Sequence, residues 1–277
     1  MMYGKAIELF LVNGTADSLI TAELSNWNGK AIKIPRTEVQ GCDREDIRGV
    51  GVYFLMCQED DGTDSVYIGE AENVLDRLTQ HLREYQAGKE KYYWNTAVIF
   101  VGRDLNKALI RYLENRFVEI AKECGRYSIL TKNTYKNTVL KEAQIATMEE
   151  FIYNVKILIN TLGYKVLVPV PTATDDTVYL YCKGTVASAK GFVSTGGFTV
   201  LSGSVVSDHT VPSFEKQGKG YFNLRNTLIK DEVIKDGIFQ RDYEFNAPSA
   251  ASAVILGHTS NGNVDWKTES GTKLKDL

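Results

Sequence analysis

The chain has 277 residues, enough for one large domain or for two ordinary ones that each bury a core of their own. Hydrophobic residues make up 43% of it and charged residues 24%, which is the globular range and argues against extensive disorder. The net charge of −3 argues against a protein that coats nucleic acid along its whole length.

An N-terminal β extension is predicted over residues 1–45, because apolar and polar residues alternate there around two Asn-Gly turn dipeptides. The next two β-rich segments, residues 51–56 and 65–69, flank a polar loop. They predict a hairpin, since short runs rich in β-branched and aromatic residues on either side of a turn pair as neighbouring strands.

Three helices and one strand are predicted in the part of the chain that follows the hairpin. A helix is predicted over residues 73–88, where leucines recur at helical spacing, and a third strand over residues 94–101. Asp104 is predicted to cap a second, longer helix, and Thr147 to open a capping box at the start of a third.

These elements predict an α/β chain of the α+β kind, in which a small three-stranded antiparallel sheet is flanked by helices and followed by a second, smaller α+β domain. A polar segment that contains prolines marks the boundary. In the C-terminal domain we predict strands over 179–182, 189–193 and 198–203, and helices over 222–235 and 249–256. The predicted division is an N-terminal β extension over 1–45, a central domain over 46–145, a helical extension over 146–165, a linker over 166–177 and a C-terminal domain over 178–277.

The apolar stretches are interrupted before the ~18 to 20 residues that a membrane span needs, and no secretory signal is evident, so we expect a cytoplasmic protein without membrane association. The four cysteines and three histidines are dispersed, which predicts free thiols and excludes a dedicated zinc cage. A metal site therefore has to rely on carboxylates. No pattern in the sequence indicates an oligomeric state.

Basic residues are concentrated between Arg77 and Lys141, where 13 Lys and Arg stand against 6 Asp and Glu. The rest of the chain is correspondingly acidic. A basic segment within an acidic protein is typical of a local phosphate-binding surface, although helix faces rich in lysine and arginine are commonly just solvated.

Five polar side chains stand among apolar neighbours in the central domain: Tyr53, Tyr67, Arg77, His81 and Glu114. Arg77 and His81 are four residues apart and share a helix face, and Glu114 adjoins an apolar stripe where a carboxylate is costly to bury. Taken singly, each has a simpler explanation, namely strand packing for the tyrosines, solvent exposure for Arg77 and His81, and a salt bridge within its own helix for Glu114. Their joint occurrence indicates a site.

The sequences GVY at residues 51–53 and YIG at residues 67–69 resemble the two halves of the motif that names the GIY-YIG nuclease family. The resemblance covers about residues 50 to 140. Family members carry an arginine ten positions after the second tyrosine, as Arg77 is here, and many carry a histidine four positions later, as His81 is. A glutamate on the following long helix binds the metal ion in the family, and Glu114 occupies that place.

The resemblance implies a divalent-metal-dependent endonuclease that hydrolyses phosphodiester bonds of DNA. It implies that Glu114 binds one Mg²⁺ or Mn²⁺ ion and that Arg77 contacts the phosphate. Tyr53 or Tyr67 takes a proton from the attacking water, which requires a phenol pKa lowered by nearby positive charge. We favour Tyr53 as the base, with Tyr67 and His81 orienting or assisting.

The chain departs from the family pattern at two places. Glu70 stands where many relatives carry a lysine directly after the second tyrosine motif. The family site is also braced by an asparagine after the glutamate, and we assign this substrate-binding role to Asn133, although Asn137 fits as well.

Residues 243–252 and 261–267 resemble an uncharacterised domain that recurs behind GIY-YIG modules in prokaryotic proteins. Its aromatic residues Phe245 and Trp266 are predicted to lie in the core rather than to stack on bases. Two alternatives to an endonuclease stay open at this point: a catalytically inactive nucleic-acid-binding module of the same fold, and a protein-interaction scaffold, which the acidic C-terminal half favours.

Overall fold

The computed structural model describes residues 3–58, 63–132, 134 and 139–277, apart from the side chain of Gln217. They form two compact units, one within residues 1–168 and one that spans residues 169–277. The architecture is α+β, as the sequence predicts. Among the described helices, none combines the length and the hydropathy that crossing a membrane requires.

Seven strands form one sheet in the first unit: β1 (Ile7–Leu11), β2 (Ile20–Leu24), β3 (Gly29–Pro35), β4 (Gly51–Gln58), β5 (Asp64–Ala71), β6 (Trp94–Gly102) and β7 (Ser128–Ile129). Their order is β1-β2-β3-β6-β4-β5-β7, and the pair of β5 with β7 is parallel. The three predicted central strands, β4 to β6, therefore continue into the N-terminal extension. The junction is the pair of β3 with β6, which runs along the whole of β3.

The first unit also contains helices α1 (Val74–Gln86), α2 (Lys107–Cys124) and α3 (Glu142–Thr161). Strand β4 is buried on both faces of the sheet, so its alternating residues enter two different cores. Phe54 packs with α2 and α3 in one core, whereas Tyr53 and Leu55 pack with α1 in the other. This arrangement holds the tyrosine of β4 against the helix that carries Arg77 and His81.

Two of the predicted helix starts are wrong. Asp104 does not cap α2; Asn106 does, and its side-chain oxygen accepts hydrogen bonds from the second and third amides of the helix. Asp104 is instead turned toward Asn28, whose side-chain nitrogen lies 3.4 Å from its carboxylate. Thr147 lies inside α3, which begins at Glu142, and its hydroxyl donates to a carbonyl one turn earlier.

The second unit contains six strands and four helices: β8 (Leu180–Lys183), β9 (Ser188–Ser194), β10 (Gly197–Val200), β11 (Ile234–Lys235), β12 (Ile238–Phe239), β13 (Tyr243–Phe245), α4 (Pro212–Gln217), α5 (Lys219–Lys230), α6 (Pro248–Leu256) and α7 (Gly262–Asp265). Four of the strands form a sheet in the order β13-β10-β9-β8, and β11 pairs with β12. Helix α6 is buried in the core of this unit.

Phe245 and Trp266 are core residues of the second unit, as predicted from the sequence. The Trp266 ring packs on Phe198 at 4.3 Å between centroids, and its indole nitrogen donates to a backbone carbonyl. The helix predicted over residues 222–235 extends too far, because α5 ends at Lys230. Glu232 adopts a left-handed backbone conformation with φ of 53°, which turns the chain into β11.

Candidate active site

Tyr53 and Tyr67 lie on the paired strands β4 and β5 and point to the same face of the sheet. The register sets Tyr53 opposite Gly69 and Tyr67 opposite Leu55, so the tyrosines are diagonal neighbours. Their ring centroids are 6.2 Å apart. A Cβ atom at position 69 would stand 2.4 Å from the Tyr53 hydroxyl oxygen, so the position of the Tyr53 ring requires glycine there.

Helix α1 brings Arg77 and His81 to these phenols. Asn73 caps the start of α1, and the spacing of four residues puts Arg77 and His81 on one face. His81 is fully buried, and its Nε2 atom lies 2.9 Å from the hydroxyl oxygen of Tyr53. Burial acts to lower the pKa of Arg77, but charge and hydrogen-bond interactions with Tyr53 and Tyr67 outweigh it and raise that pKa above its ordinary value. Arg77 is therefore a permanent cation.

The acidity of the two tyrosines differs from the expectation drawn from the sequence. Burial raises the pKa of Tyr53 well above its ordinary value, and it raises the pKa of Tyr67 as well. The positive charge of Arg77 lowers the pKa of both phenols, but by less than burial raises it. The expectation of a lowered phenol pKa is wrong because desolvation outweighs one guanidinium. Both phenols keep their protons at neutral pH, so either can act as a base only if another group takes its proton.

Glu90 and Tyr53 contact opposite sides of the His81 ring. The Oε1 atom of Glu90 is hydrogen-bonded to Nδ1 of His81 and accepts a second bond from the hydroxyl of Tyr92 at 3.2 Å. Burial raises the pKa of Glu90 to about 7. Burial also lowers the pKa of His81, to about 3, with a further contribution from the cations Arg77 and Arg36. The imidazole is therefore uncharged at neutral pH.

Glu84 joins His81 and Glu90 in a group whose ligand atoms all lie within 4.8 Å of one another. All three side chains already have partners: His81 and Glu90 bind each other, while Glu84 accepts from Gln80 at 2.6 Å and faces Arg77 at 3.7 Å. We therefore describe this group as a hydrogen-bonded cluster rather than as a metal centre.

Glu114 is buried on α2, beside Leu113 and Phe117, which belong to the core. The Oε2 atom of Glu114 is buried and has no hydrogen-bond partner among the residues that the structure describes. An unsatisfied carboxylate oxygen is costly in such a place. A divalent cation that prefers oxygen ligands and keeps most of its water would satisfy it.

The ionisation of Glu114 is coupled to charged groups around it and to the two tyrosines. Burial and, to a smaller extent, the negative charge of Glu70 raise the pKa of its carboxyl group to about 7, and the positive charge of Arg77 is among those that oppose the increase. The Glu114 carboxylate in turn raises the pKa of both Tyr53 and Tyr67. The five side chains singled out in the central domain therefore share one electrostatic environment.

Glu70 follows directly on the strand segment that carries Tyr67 and Gly69. Its Oε2 atom lies 3.0 Å from Nζ of Lys107, and its Oε1 atom lies 3.7 Å from Nε of Arg111. Both cations belong to α2, the helix of Glu114. Glu70 therefore holds two positive charges of α2 beside the Glu114 carboxylate.

Sequence reasoning missed Glu90, because nothing in the linear spacing ties a residue beyond the end of α1 to a histidine within that helix. The only available signal was Gly88, the helix-ending glycine that lets the chain turn back. Asn133, to which a substrate-binding role is assigned, lies outside the described residues, and so does its alternative Asn137.

Comparison with known proteins finds a matching family model in the C-terminal part of the chain. A family model described as a domain of unknown function (DUF4357) matches residues 180–277, which lie in the second unit. The expectation of an uncharacterised C-terminal domain is thereby confirmed. No curated protein matches the chain, and no solved structure matches it either.

Proposed function

We propose that the first unit is a divalent-metal-dependent endonuclease of the GIY-YIG type that hydrolyses phosphodiester bonds of DNA. One observation carries the proposal: Tyr53, Tyr67 and Arg77 interact electrostatically with a buried carboxylate, Glu114, one oxygen of which is without a hydrogen-bond partner among the described residues. A purely structural cluster has no need of that unsatisfied oxygen, since a buried polar atom without a partner costs folding free energy.

Each side chain supplies one requirement of the reaction. Arg77 keeps its charge and presents a planar fork of donors that matches phosphate oxygens, so it holds the scissile phosphate and stabilises the charge that builds up on it. Tyr53 takes a proton from the attacking water as it gives its own phenolic proton to Nε2 of His81. Tyr67 packs against Tyr53 and orients it.

Glu114 is the residue that would hold Mg²⁺ or Mn²⁺. A single carboxylate oxygen without a partner suits a small cation that keeps most of its water shell. When bound, the cation would add positive charge next to the phosphate and so stabilise the pentacovalent state.

DNA is the proposed partner because basic residues are concentrated in the segment that contains Arg77, His81 and Glu114. Residues 77–141 carry 13 Lys and Arg against 6 Asp and Glu. Phosphate contacts of this kind contribute affinity without sequence preference, and they weaken steeply as salt is added.

The test is nicking of supercoiled plasmid by the full chain in Mg²⁺ or Mn²⁺, with Glu114→Ala and Arg77→Ala alongside. We expect each variant to lose at least about a hundredfold in rate, the scale of losing a main electrostatic contribution to catalysis. Glu123→Gln is the matched control, because Glu123 is exposed on the same helix. Salt-sensitive binding in a gel shift without any nicking would favour an inactive binding module, and the absence of both would favour a scaffold.

A further inference from the structure

The end of α1 folds the chain back so that Glu90 reaches a residue of the same helix. Gly88 adopts a left-handed conformation with φ of 68°, and the amide of Lys89 donates to the carbonyl of Glu84 at 2.9 Å. This is the hydrogen-bond pattern of a Schellman motif, which reverses the chain at a helix end. The amide of Glu90 also donates to Glu84, at 3.3 Å. The backbone of Glu90 is therefore fixed to α1 at a defined distance from His81.

The side chain of Glu90 is an acceptor for two converging donors. Only 10% of it is exposed, and its Oε1 atom faces both Nδ1 of His81 and the hydroxyl of Tyr92. The Tyr92 ring stacks on Tyr67 with 5.7 Å between centroids, which fixes the direction of its hydroxyl. A carboxylate oxygen accepts both bonds when the proton of the imidazole sits on Nδ1. The lone pair of His81 then lies on Nε2, which faces the Tyr53 hydroxyl at 2.9 Å.

We infer that Glu90 is a positioning residue that holds His81 in the tautomer with the proton on Nδ1, so that Nε2 accepts the phenolic proton of Tyr53. The inference rests on the proposed endonuclease function and makes Tyr53, rather than Tyr67, the base of that reaction. A neutral imidazole backed by a carboxylate is held in one orientation and one tautomer by it. The same logic applies wherever a buried acid sets the tautomer of a catalytic histidine.

The proton balance of the step is simple. The oxygen of water bonds to phosphorus as one water proton passes to the Tyr53 oxygen and the phenolic proton passes to Nε2 of His81. The bond between phosphorus and the leaving oxygen breaks, its electron pair stays on that oxygen, and solvent protonates it. The imidazolium formed on His81 is stabilised by the Glu90 carboxylate and returns its proton to solvent afterwards.

The first test reads the tautomer directly and does not depend on cleavage. The chain has three histidines, so ¹⁵N shifts of the imidazole nitrogens in the full-length protein can be assigned by replacing His209 and His258 one at a time. We expect His81 to carry its proton on Nδ1 in the wild type above neutral pH. In Glu90→Gln, whose amide can donate to Nδ1, we expect a large part of His81 to change to the other tautomer.

Glu84→Gln is the matched control for the tautomer, because it removes the same charge from a neighbouring side chain that bonds to Gln80. It should leave the tautomer of His81 unchanged. A wild-type His81 with its proton on Nε2, or a tautomer that responds neither to Glu90→Gln nor to Glu90→Leu, which has no acceptor for Nδ1, overturns the inference.

The second test is the pH dependence of nicking. The ionised Glu90 carboxylate stabilises the imidazolium that forms on His81, and burial raises the pKa of Glu90 to about 7, so the rate should rise with pH through that region. We expect Glu90→Gln to lower the rate by at least about tenfold, a part of the 10²- to 10⁴-fold that acid–base catalysis contributes, and to abolish this rise. Glu90→Asp, which keeps the carboxylate, should restore part of both.

Other groups titrate nearby, and the assay has to separate them. The titratable or charged side chains that face His81 or Glu90 are Arg36, Tyr53, Tyr67, Arg77, Glu84 and Tyr92. Glu114 also has a pKa raised to about 7, but Mg²⁺ competes with its proton, so raising Mg²⁺ should move the Glu114 contribution to lower pH and leave that of Glu90 in place.

The outcomes distinguish the inference from the function on which it rests. A wild type that does not nick refutes the endonuclease and the proton transfer with it, whereas the tautomer measurement still decides whether Glu90 orients His81. A wild type that nicks, with Glu90→Gln equal to it in rate and pH profile, refutes the positioning role alone.

Discussion

Replacing Glu114 by glutamine should stabilise the protein above neutral pH while it abolishes metal binding. The folded state holds the Glu114 carboxyl group at a pKa of about 7, against an ordinary value of 4.5, and the first cause is burial. For an acid whose pKa is raised on folding, the cost is absent below the unfolded pKa and complete above the folded one. The penalty therefore grows between about pH 4.5 and pH 7 and stays in full at higher pH.

The magnitude follows from the difference in pKa. Each pH unit corresponds to ~1.4 kcal/mol, which sets an upper limit of roughly 3 kcal/mol for Glu114. Relaxation of the surroundings and water penetration lower the effective penalty for a buried ion, which reduces this to about 1 to 2 kcal/mol. For a unit of this size such a gain raises the melting temperature by roughly 2 to 8 °C.

Differential scanning calorimetry of the full chain in EDTA, at about pH 5 and about pH 8, measures the effect. We expect Glu114→Gln to melt higher than the wild type at the higher pH and close to it at the lower. Adding Mg²⁺ should then stabilise the wild type by ~2.7 kcal/mol at a hundred times its Kd and leave the variant unchanged. Glu123→Gln, an exposed change on the same helix, should show neither effect. A gain that is equal at both pH values, or no gain at all, would refute the account of Glu114 as a buried charge kept for a cation.

Three further predictions address other contacts. Arg77→Lys keeps the charge but loses the planar fork, so we expect nicking to fall by about tenfold or more without a change in melting temperature, measured by plasmid assay and calorimetry. Glu70→Gln removes a negative charge beside Glu114 and so lowers the pKa of that carboxyl, which should extend Mg²⁺ binding to lower pH in a titration by calorimetry. Arg225→Met removes the buried guanidinium that donates to the carbonyls of Val254 and Ser207, and it should destabilise the second unit by about 1 to 3 kcal/mol in urea unfolding because both acceptors lose their partner.

The parts of the fold that follow from local pattern were predictable. The strands β4 and β5 and the helix α1 are near the predicted bounds, because alternation and helical spacing act over a few residues. The start of α2 was not predictable, since Asp104 and Asn106 are both good caps and a side chain remote in sequence, Asn28, engages the first of them. Local propensity alone cannot predict which of two capping residues is used when a tertiary contact engages one of them.

The candidate site, like the fold, has features that the sequence predicts and features that it does not. Arg77 and His81 could be placed on one face from their spacing of four, and the diagonal relation of the tyrosines follows once their strands pair. The raised pKa values of the phenols could not be predicted, because they depend on how deeply the sheet is covered. Glu90 likewise reaches His81 only through the chain reversal after α1.

Glu70 illustrates how a departure from a motif can lower the local charge without removing all of the positive charge around it. A lysine at this position would contribute one positive charge. Glu70 carries one negative charge, but its side chain lies between Lys107 and Arg111 of α2, so the three side chains together keep a net charge of +1, where a lysine at position 70 would give +3. Glu72, the other acid near Lys107, is largely exposed and therefore screened. The positive charge that remains beside Glu114 thus comes from the helix that carries the carboxylate, and a lysine on the strand would have added to it.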